Sequence, residues 1–294
     1  MAIPATQNQR ESPRALAPSE FLKELSAELA SGDVRLPSFP DIAQRVQRAL
    51  EDPRATPVQV ARVIGIDAAL AVRVLRLANS AFLNPSAKPI TELQQAVNRL
   101  GHQLVRCTAV SFALQQMNAG DGVAALRPQL QELWRKGTLV ASIAYVLARE
   151  TRAANPDEAL VAGLMHNIGS LYIAVRAHQH GAVLGADDAA TRVLSNGHPR
   201  IAGAILGHWK FAPSIVSAVS NQNASNLPTG PAGLADVLIA SISLVPCVFF
   251  RGLLDETVTA VAAFQRLALD TTECTRLLRT TGRQIKSLHS ALDG

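Results

Sequence analysis

The sequence predicts an all-α fold, and three observations carry that expectation. Hydrophobic residues make up 48% of the 294-residue chain and aromatics only 4%. Ala and Leu therefore supply most of the apolar surface, a composition suited to packed helices rather than sheets. Apolar residues recur at helical spacing behind recognisable caps. No segment has a strand's strict alternation, and no tandem repeat is found. The length suffices for one large domain or two modest lobes with a real core.

The elements follow in order. Residues up to about Pro18 read as a disordered arm. Ser19 then caps a helix with Phe21, Leu22, Leu25 and Leu29 on one face. "LPSFP" (Leu36 to Pro40) is a stiff connector. The next helix carries Ile42, Val46, Ala49 and Leu50 and stops at Asp52-Pro53. Thr56-Pro57 caps a helix reaching Ile64. Asp67 caps another with Leu70, Val74 and Leu77 inward. Thr91 opens a helix that Gly101 terminates, and a further helix runs from His102 to about Met117.

"NAGDG" (Asn118 to Gly122) is the clearest internal break. A long helix follows around Leu130 to Glu150. "NPDEA" (Asn155 to Ala159) combines a cap, a first-turn proline and two acids at the positive helix end. It opens the helix that carries "ALVAGLMHNIGSLYIA" (Ala159 to Ala174). In that stretch His166 and Asn167 form a polar island, with Gly169 just beyond. Helices are further expected at Pro199 to Lys210, Pro213 to Asn221, Pro231 to Phe249, Glu256 to Ala268 and Thr272 to Leu292. The organisation is an arm (1–18), two packed helical lobes (19–120 and 121–250) and a C-terminal extension (251–294).

Bulk properties exclude several function classes. Net charge is +5, from 28 basic and 23 acidic residues. That permits an acidic partner but is no nucleic-acid signature. Cys107, Cys247 and Cys274 are odd in number and far apart, so neither a disulfide framework nor a zinc knuckle is supported. The N-terminus has no apolar signal region. The most apolar run, Val237 to Phe250, is too short to span a bilayer. A soluble cytoplasmic protein without a transmembrane segment is expected.

Three candidates for chemistry stand out. Thr56 to Asn79 has a helix-turn-helix layout. Its second helix opens on Ala68, Ala69, Leu70 and Ala71, which cannot read base edges, and only Arg73 and Arg76 could reach phosphates. A metal site is the second candidate. The seven histidines never pair at i,i+3 or i,i+4, so no helix presents two imidazoles on one face. On spacing alone, His166 reads as a hydrogen-bonded core histidine. The third is the last helix, where Arg276, Arg279, Arg283 and Lys286 share one arc opposite Leu277, Ile285, Leu288 and Leu292. Such a basic face could make weak contact with an anionic surface. The plainer reading is a docked helix with a solvated basic side.

Several segments together resemble the HDOD family, bacterial signalling domains related to the HD phosphohydrolases. They are "LPSFPDIAQRVQRALEDP", "IGIDAALAVRVLRLANSAFL", "ITELQQAVNRLG", "LWRKG", "ALVAGLMHNIGSLYIA" and "HPRIAGAILGHWKFAP", covering roughly residues 36 to 225. The resemblance implies an HD-like multi-helix domain. The catalytic relatives, HD and HD-GYP phosphohydrolases, hold metal with an His-Asp pair and further His and Asp residues. Here the paired His is His166, and Asn167 stands where the Asp would be. A neutral amide contributes no charge to a metal. Lys136 stands where the first histidine is expected, after the Trp of "LWRKG". His198 is retained. Gln222-Asn223 replaces an expected His-His pair, and the final aspartate falls on Asp236.

The resemblance thus implies a degenerate site. If any metal is held, His166, His198 and Asp236 would hold it; none is expected, and no cofactor. Two places for Lys136 are open: it replaces the lost metal charge by pairing with Asp236 near His166, or it is a surface residue unrelated to the pocket. The expected function is non-catalytic signal transduction through contact with signalling proteins, without specific nucleic-acid binding. A metal-dependent phosphohydrolase acting on a nucleotide or cyclic dinucleotide is the alternative. A DNA-binding regulator working through residues 56 to 79 is the second.

Overall fold

The computed structural model describes residues 41–52, 54–80, 83–84, 88–118, 125–179, 189–224 and 229–293, together with Lys23 and Ala27. The expected arm, most of the Ser19 helix, "LPSFP" and most of "NAGDG" lie outside the described residues. Among the described residues all regular structure is helical.

Three short helices come first: α1 (Asp41–Glu51), α2 (Pro57–Ile64) and α3 (Ala68–Ala78). Thr56 and Gln59 form a capping box, with the Thr56 N–H donating to Gln59 Oε1 at 2.7 Å. Asp67 accepts from the Ala69 and Leu70 N–H groups at 2.9 and 3.0 Å. These side chains satisfy donors that a helix start leaves without partners. The break expected at Gly101 is a kink inside α4 (Leu93–Asn118), where φ is 67° and ψ 172°. A residue with a side chain would be strained there.

α5 (Arg127–Thr151) is the spine of the molecule. From Gly137 to Ala148 all of its residues but Tyr145 are buried. A helix that is apolar all round needs cover on every side, and α5 has it. One core joins Leu130, Val140 and Ala141 to α1–α4 and to the helices after α5. A second core joins Leu139, Ile143 and Leu147 to the C-terminal helices.

α6 (Pro156–Met165) packs along α5. Asn155 caps it, accepting from the Asp157 N–H at 2.8 Å. The two helices meet at Gly163, where an added Cβ would lie 2.4 Å from the Ala141 Cα. The expected single helix through His166 is in fact two. α6 ends at Met165, His166 and Asn167 form a turn, and α7 (Ile168–Gln179) begins again. Pro156–His178 is long and apolar enough to cross a membrane by composition, but 78% of its most apolar window is buried within the fold.

α8 (Ala189–His208) starts ahead of the expected Pro199, and α9 (Pro213–Ser220) and α10 (Leu234–Phe249) follow. Beyond a 3-10 turn at Arg251–Leu253 come α11 (Leu254–Ala260), α12 (Ala262–Arg266), α13 (Thr271–Thr280) and α14 (Gly282–Asp293). Two long helices expected in this region are therefore broken. At the second break Thr281 ends α13: its N–H and its hydroxyl both donate to the Leu277 carbonyl, and its own carbonyl starts α14.

Candidate functional site

The turn between α6 and α7 buries His166, which is 4% exposed. Its Nδ1 lies 2.6 Å from the Gly163 carbonyl oxygen. A carbonyl only accepts, so Nδ1 carries the proton and Nε2 the lone pair. Burial drives the His166 pKa down to about 4; the Gly163 bond opposes this, and the neighbouring His198 adds to it. Burial also brings His198 down to about 4. Both imidazoles are therefore neutral at pH 7. The His198 Nδ1 is buried and has no hydrogen-bond partner among the described residues.

Glycine brings the two histidines together. A Cβ on Gly169 would lie 2.0 Å from the His198 carbonyl oxygen and 3.0 Å from the Ala202 nitrogen. Only a residue without a side chain lets α7 approach the backbone of α8 so closely. The glycine that follows the His-Asn pair is thus a packing requirement.

Gln222 completes this cluster. It is 5% exposed, and its Nε2 donates to the carbonyls of His166 and Val219, both at 3.0 Å. The side chain ties the end of α9 to the end of α6. Asn167 is half-buried, and its carbonyl accepts the Leu171 N–H at 3.1 Å to start α7. Asn223 is exposed.

The pairing of Lys136 with Asp236 is corrected by the structure. Asp236 is 2% exposed, and its Oδ1 accepts from Arg266 Nε at 2.6 Å. Its Oδ2 accepts from Arg266 Nη2 at 3.2 Å and from the Gly233 N–H at 2.8 Å. Arg266 also reaches the Gly230 and Pro231 carbonyls. The hydrogen bond to Asp236 raises the Arg266 pKa further. Both carboxylate oxygens are thus committed to closing the turn ahead of α10. Lys136 is exposed on α5, one turn from Glu132, whose pKa is lowered chiefly by Arg135 and to a lesser extent by Lys136. The Asp236–Arg266 pair spans 30 residues and leaves no periodic trace that sequence reading could find.

A metal centre of the phosphohydrolase kind does not fit this donor set. Such centres draw on several convergent histidines and carboxylates. Here two neutral imidazoles adjoin, Gln222 turns its N–H₂ towards carbonyls, and Asp236 is engaged by a guanidinium. Among the described residues, no group of three or more His, Cys, Asp or Glu could hold a metal ion.

In α3, Ala68 and Ala69 are exposed, and Arg73 is half-buried over the Phe112 ring, 5.9 Å from its centroid. The three cysteines are free and buried, and burial pushes Cys107 up to about 12. Buried thiols of this kind are inert. Arg276, Arg279, Arg283 and Lys286 are all exposed. They are split between α13 and α14, so they do not form the single-helix face expected, and Arg276 pairs with Glu273 at 2.8 Å. The hydroxyl of Thr138 on α5 lies 2.8 Å from His289 Nδ1 on α14.

Comparison with known proteins decides the family. The HDOD domain model matches residues 36–225, which contain both histidines and Gln222. The chain belongs to the HDOD domain family. A Shewanella amazonensis structure, provisionally named a metal-dependent phosphohydrolase, superposes with a TM-score of 0.71 at 23% identity, covering 94% of this chain and 99% of that one. A Marinobacter aquaeolei structure, provisionally named a signal transduction protein, has a TM-score of 0.55 at 22% identity and covers 96% and 68%. These likenesses establish the HD-like helical fold that the HDOD chain shares. A Treponema pallidum protein of uncharacterised function is 24% identical over 234 residues, 74% of this chain. The HDOD chain spans 43% of that relative's length.

Proposed function

We propose that this HDOD chain is a non-catalytic signalling module of the bacterial cytoplasm that acts by binding other proteins. The observation that carries this reading is the engagement of Asp236. The HD phosphohydrolase centres that the resemblance points to draw on both His and Asp ligands to hold a divalent cation and position its activated water. The aspartate that the resemblance to the HD phosphohydrolases assigns to such a centre, Asp236, is instead satisfied by Arg266 and the Gly233 N–H. Asn167 and Gln222 contribute neutral amides, and Gln222 works as a strut. The fold is shared with the Marinobacter structure that is provisionally named a signal transduction protein, and this reading fits that name.

The rival reading, a metal-dependent phosphohydrolase, draws on the name of the Shewanella structure. Assay of the purified protein with manganese or iron against a cyclic dinucleotide separates the two. No turnover above a metal-only control is expected. Metal-dependent turnover abolished by His166→Ala would establish the rival. The DNA-binding reading has less support, because the exposed start of α3 offers alanine methyl groups to a groove.

A further inference from the structure

A polar cleft of about 600 Å³ opens between α4 and the residues that lead into it. Asn84, Lys88, Ile90, Gln95, Asn98 and Arg99 line it, and among the described residues no carboxylate does. The side chains of His166, His198 and Gln222 are not among its walls.

Side-chain bonds hold those walls in place. Asn79, which follows α3, exchanges two bonds with the Ile90 backbone. Its Nδ2 donates to the carbonyl at 2.6 Å, and its Oδ1 accepts the N–H at 2.8 Å. Asn84 is 5% exposed and donates to the Lys88 carbonyl at 2.7 Å. From α4, Arg99 Nε donates to the Leu83 carbonyl at 2.6 Å. The backbone at Leu83, Lys88 and Ile90 is thus tied down before any ligand arrives, which lowers the ordering cost of binding.

Three lining side chains keep bonding capacity that the fold does not use. The Lys88 ammonium and the Asn98 amide are exposed and have no bonding partner among the described residues. Arg99 carries N–H donors beyond those given to Leu83 and Asn84. Glu92, the acid nearest to them in sequence, does not line the cleft and accepts from Gln95 Nε2 at 3.0 Å.

Two cations without a lining carboxylate suit an anion, and Lys and Arg are the side chains that hold phosphate oxygens. The cleft is far larger than a bare phosphate and falls in the range of small-ligand sites, about 300–1,000 Å³. Next to Arg99, the Asn98 amide offers an acceptor and two donors. Such a group pairs with the edge of a base, as Asn does with adenine. A nucleotide carries both the anion and the base.

We propose that this cleft binds a nucleotide, with its phosphate on Lys88 and Arg99 and its base on the Asn98 amide. The site gives the signalling module a small-molecule input separate from the histidine cluster.

The test is isothermal titration of the full chain with AMP and GMP, and with inorganic phosphate and adenosine as the separate parts. At least one nucleotide is expected to bind, with phosphate and adenosine each ~tenfold or more weaker. Lys88→Glu should weaken nucleotide binding ~tenfold or more. Asn98→Ala should weaken it too, while leaving any affinity for phosphate alone unchanged. Arg48→Glu, the same change of charge at an exposed position of α1, should have no effect. All three side chains are exposed, so helical circular dichroism and melting temperature should be no lower than wild type. Absence of binding by both nucleotides overturns the inference. So does binding that Lys88→Glu and Asn98→Ala leave intact, or phosphate binding as tight as that of the nucleotides.

Discussion

The Gln222 side-chain amide donates to the His166 backbone carbonyl at 3.0 Å. This bond joins two positions that the family resemblance assigns to one metal site, and it joins them as structure. The carbonyl lies at the end of α6, where the helix ladder runs out of donors. Gln222→Leu should leave that buried acceptor unsatisfied and cost about 1–3 kcal/mol, measured by urea unfolding. Gln222→Glu should be at least as damaging at neutral pH, because a carboxylate cannot donate.

Gly169 sits where α7 meets the backbone of α8. In Gly169→Ala the new methyl would fall 2.0 Å from the His198 carbonyl oxygen, and a helix backbone cannot yield as a flexible side chain does. Overpacking of this kind costs about 1–3 kcal/mol. Loss of stability should be accompanied by shifted imidazole resonances of His166 and His198, read by NMR.

The histidine pair makes stability depend on pH. Both groups titrate near 4 in the folded chain, against 6.5 for an unperturbed histidine. Between these values the unfolded chain binds more protons, so stability falls as pH falls. The contribution of the neutral pair is complete above about pH 6.5 and is lost progressively towards pH 4. Each group adds a slope of at most about 1.4 kcal/mol per pH unit, and His198, being partly exposed, adds less. Urea unfolding at pH 7.5, 6 and 5 should show a steeper loss for wild type than for His198→Asn. Equal slopes would mean that His198 is not held neutral.

Asp236 and Arg266 form a pair whose buried member depends on the half-buried one. Arg266→Met should strand a carboxylate that is 2% exposed and lower the melting temperature. Asp236→Leu combined with Arg266→Met should recover part of the loss, because a buried pair can give way to apolar packing. A double variant as unstable as the sum of the singles would show that the two side chains are not coupled and that each acts through its other contacts.

Much of the fold was legible in the chain because helix starts are chemically local. Thr56 with Gln59, Asp67, and Asn155 with Pro156 each cap where their side chains indicate. Helix interiors are less legible. Nothing in an apolar run marks the turn at His166-Asn167, and the stretch from Thr271 to Asp293 is likewise interrupted, at Thr281. In the site, His166, His198 and Gln222 do come together. Lys136 and Asp236 do not pair, since the cation that holds Asp236 lies 30 residues further on. Two charges that suit each other in a linear reading remain partners only if the fold leaves both of them available.

The central question for this protein is whether the two imidazoles and their neighbours hold a divalent metal. Asn167→Asp adds one carboxylate but leaves Asp236 with Arg266 and Gln222 with its carbonyls. The most direct measurement is the metal content of wild type and Asn167→Asp after equilibration with manganese or iron and desalting. Substoichiometric metal is expected in both. Stoichiometric metal in either protein, lost on His166→Ala or His198→Ala, would contradict the account.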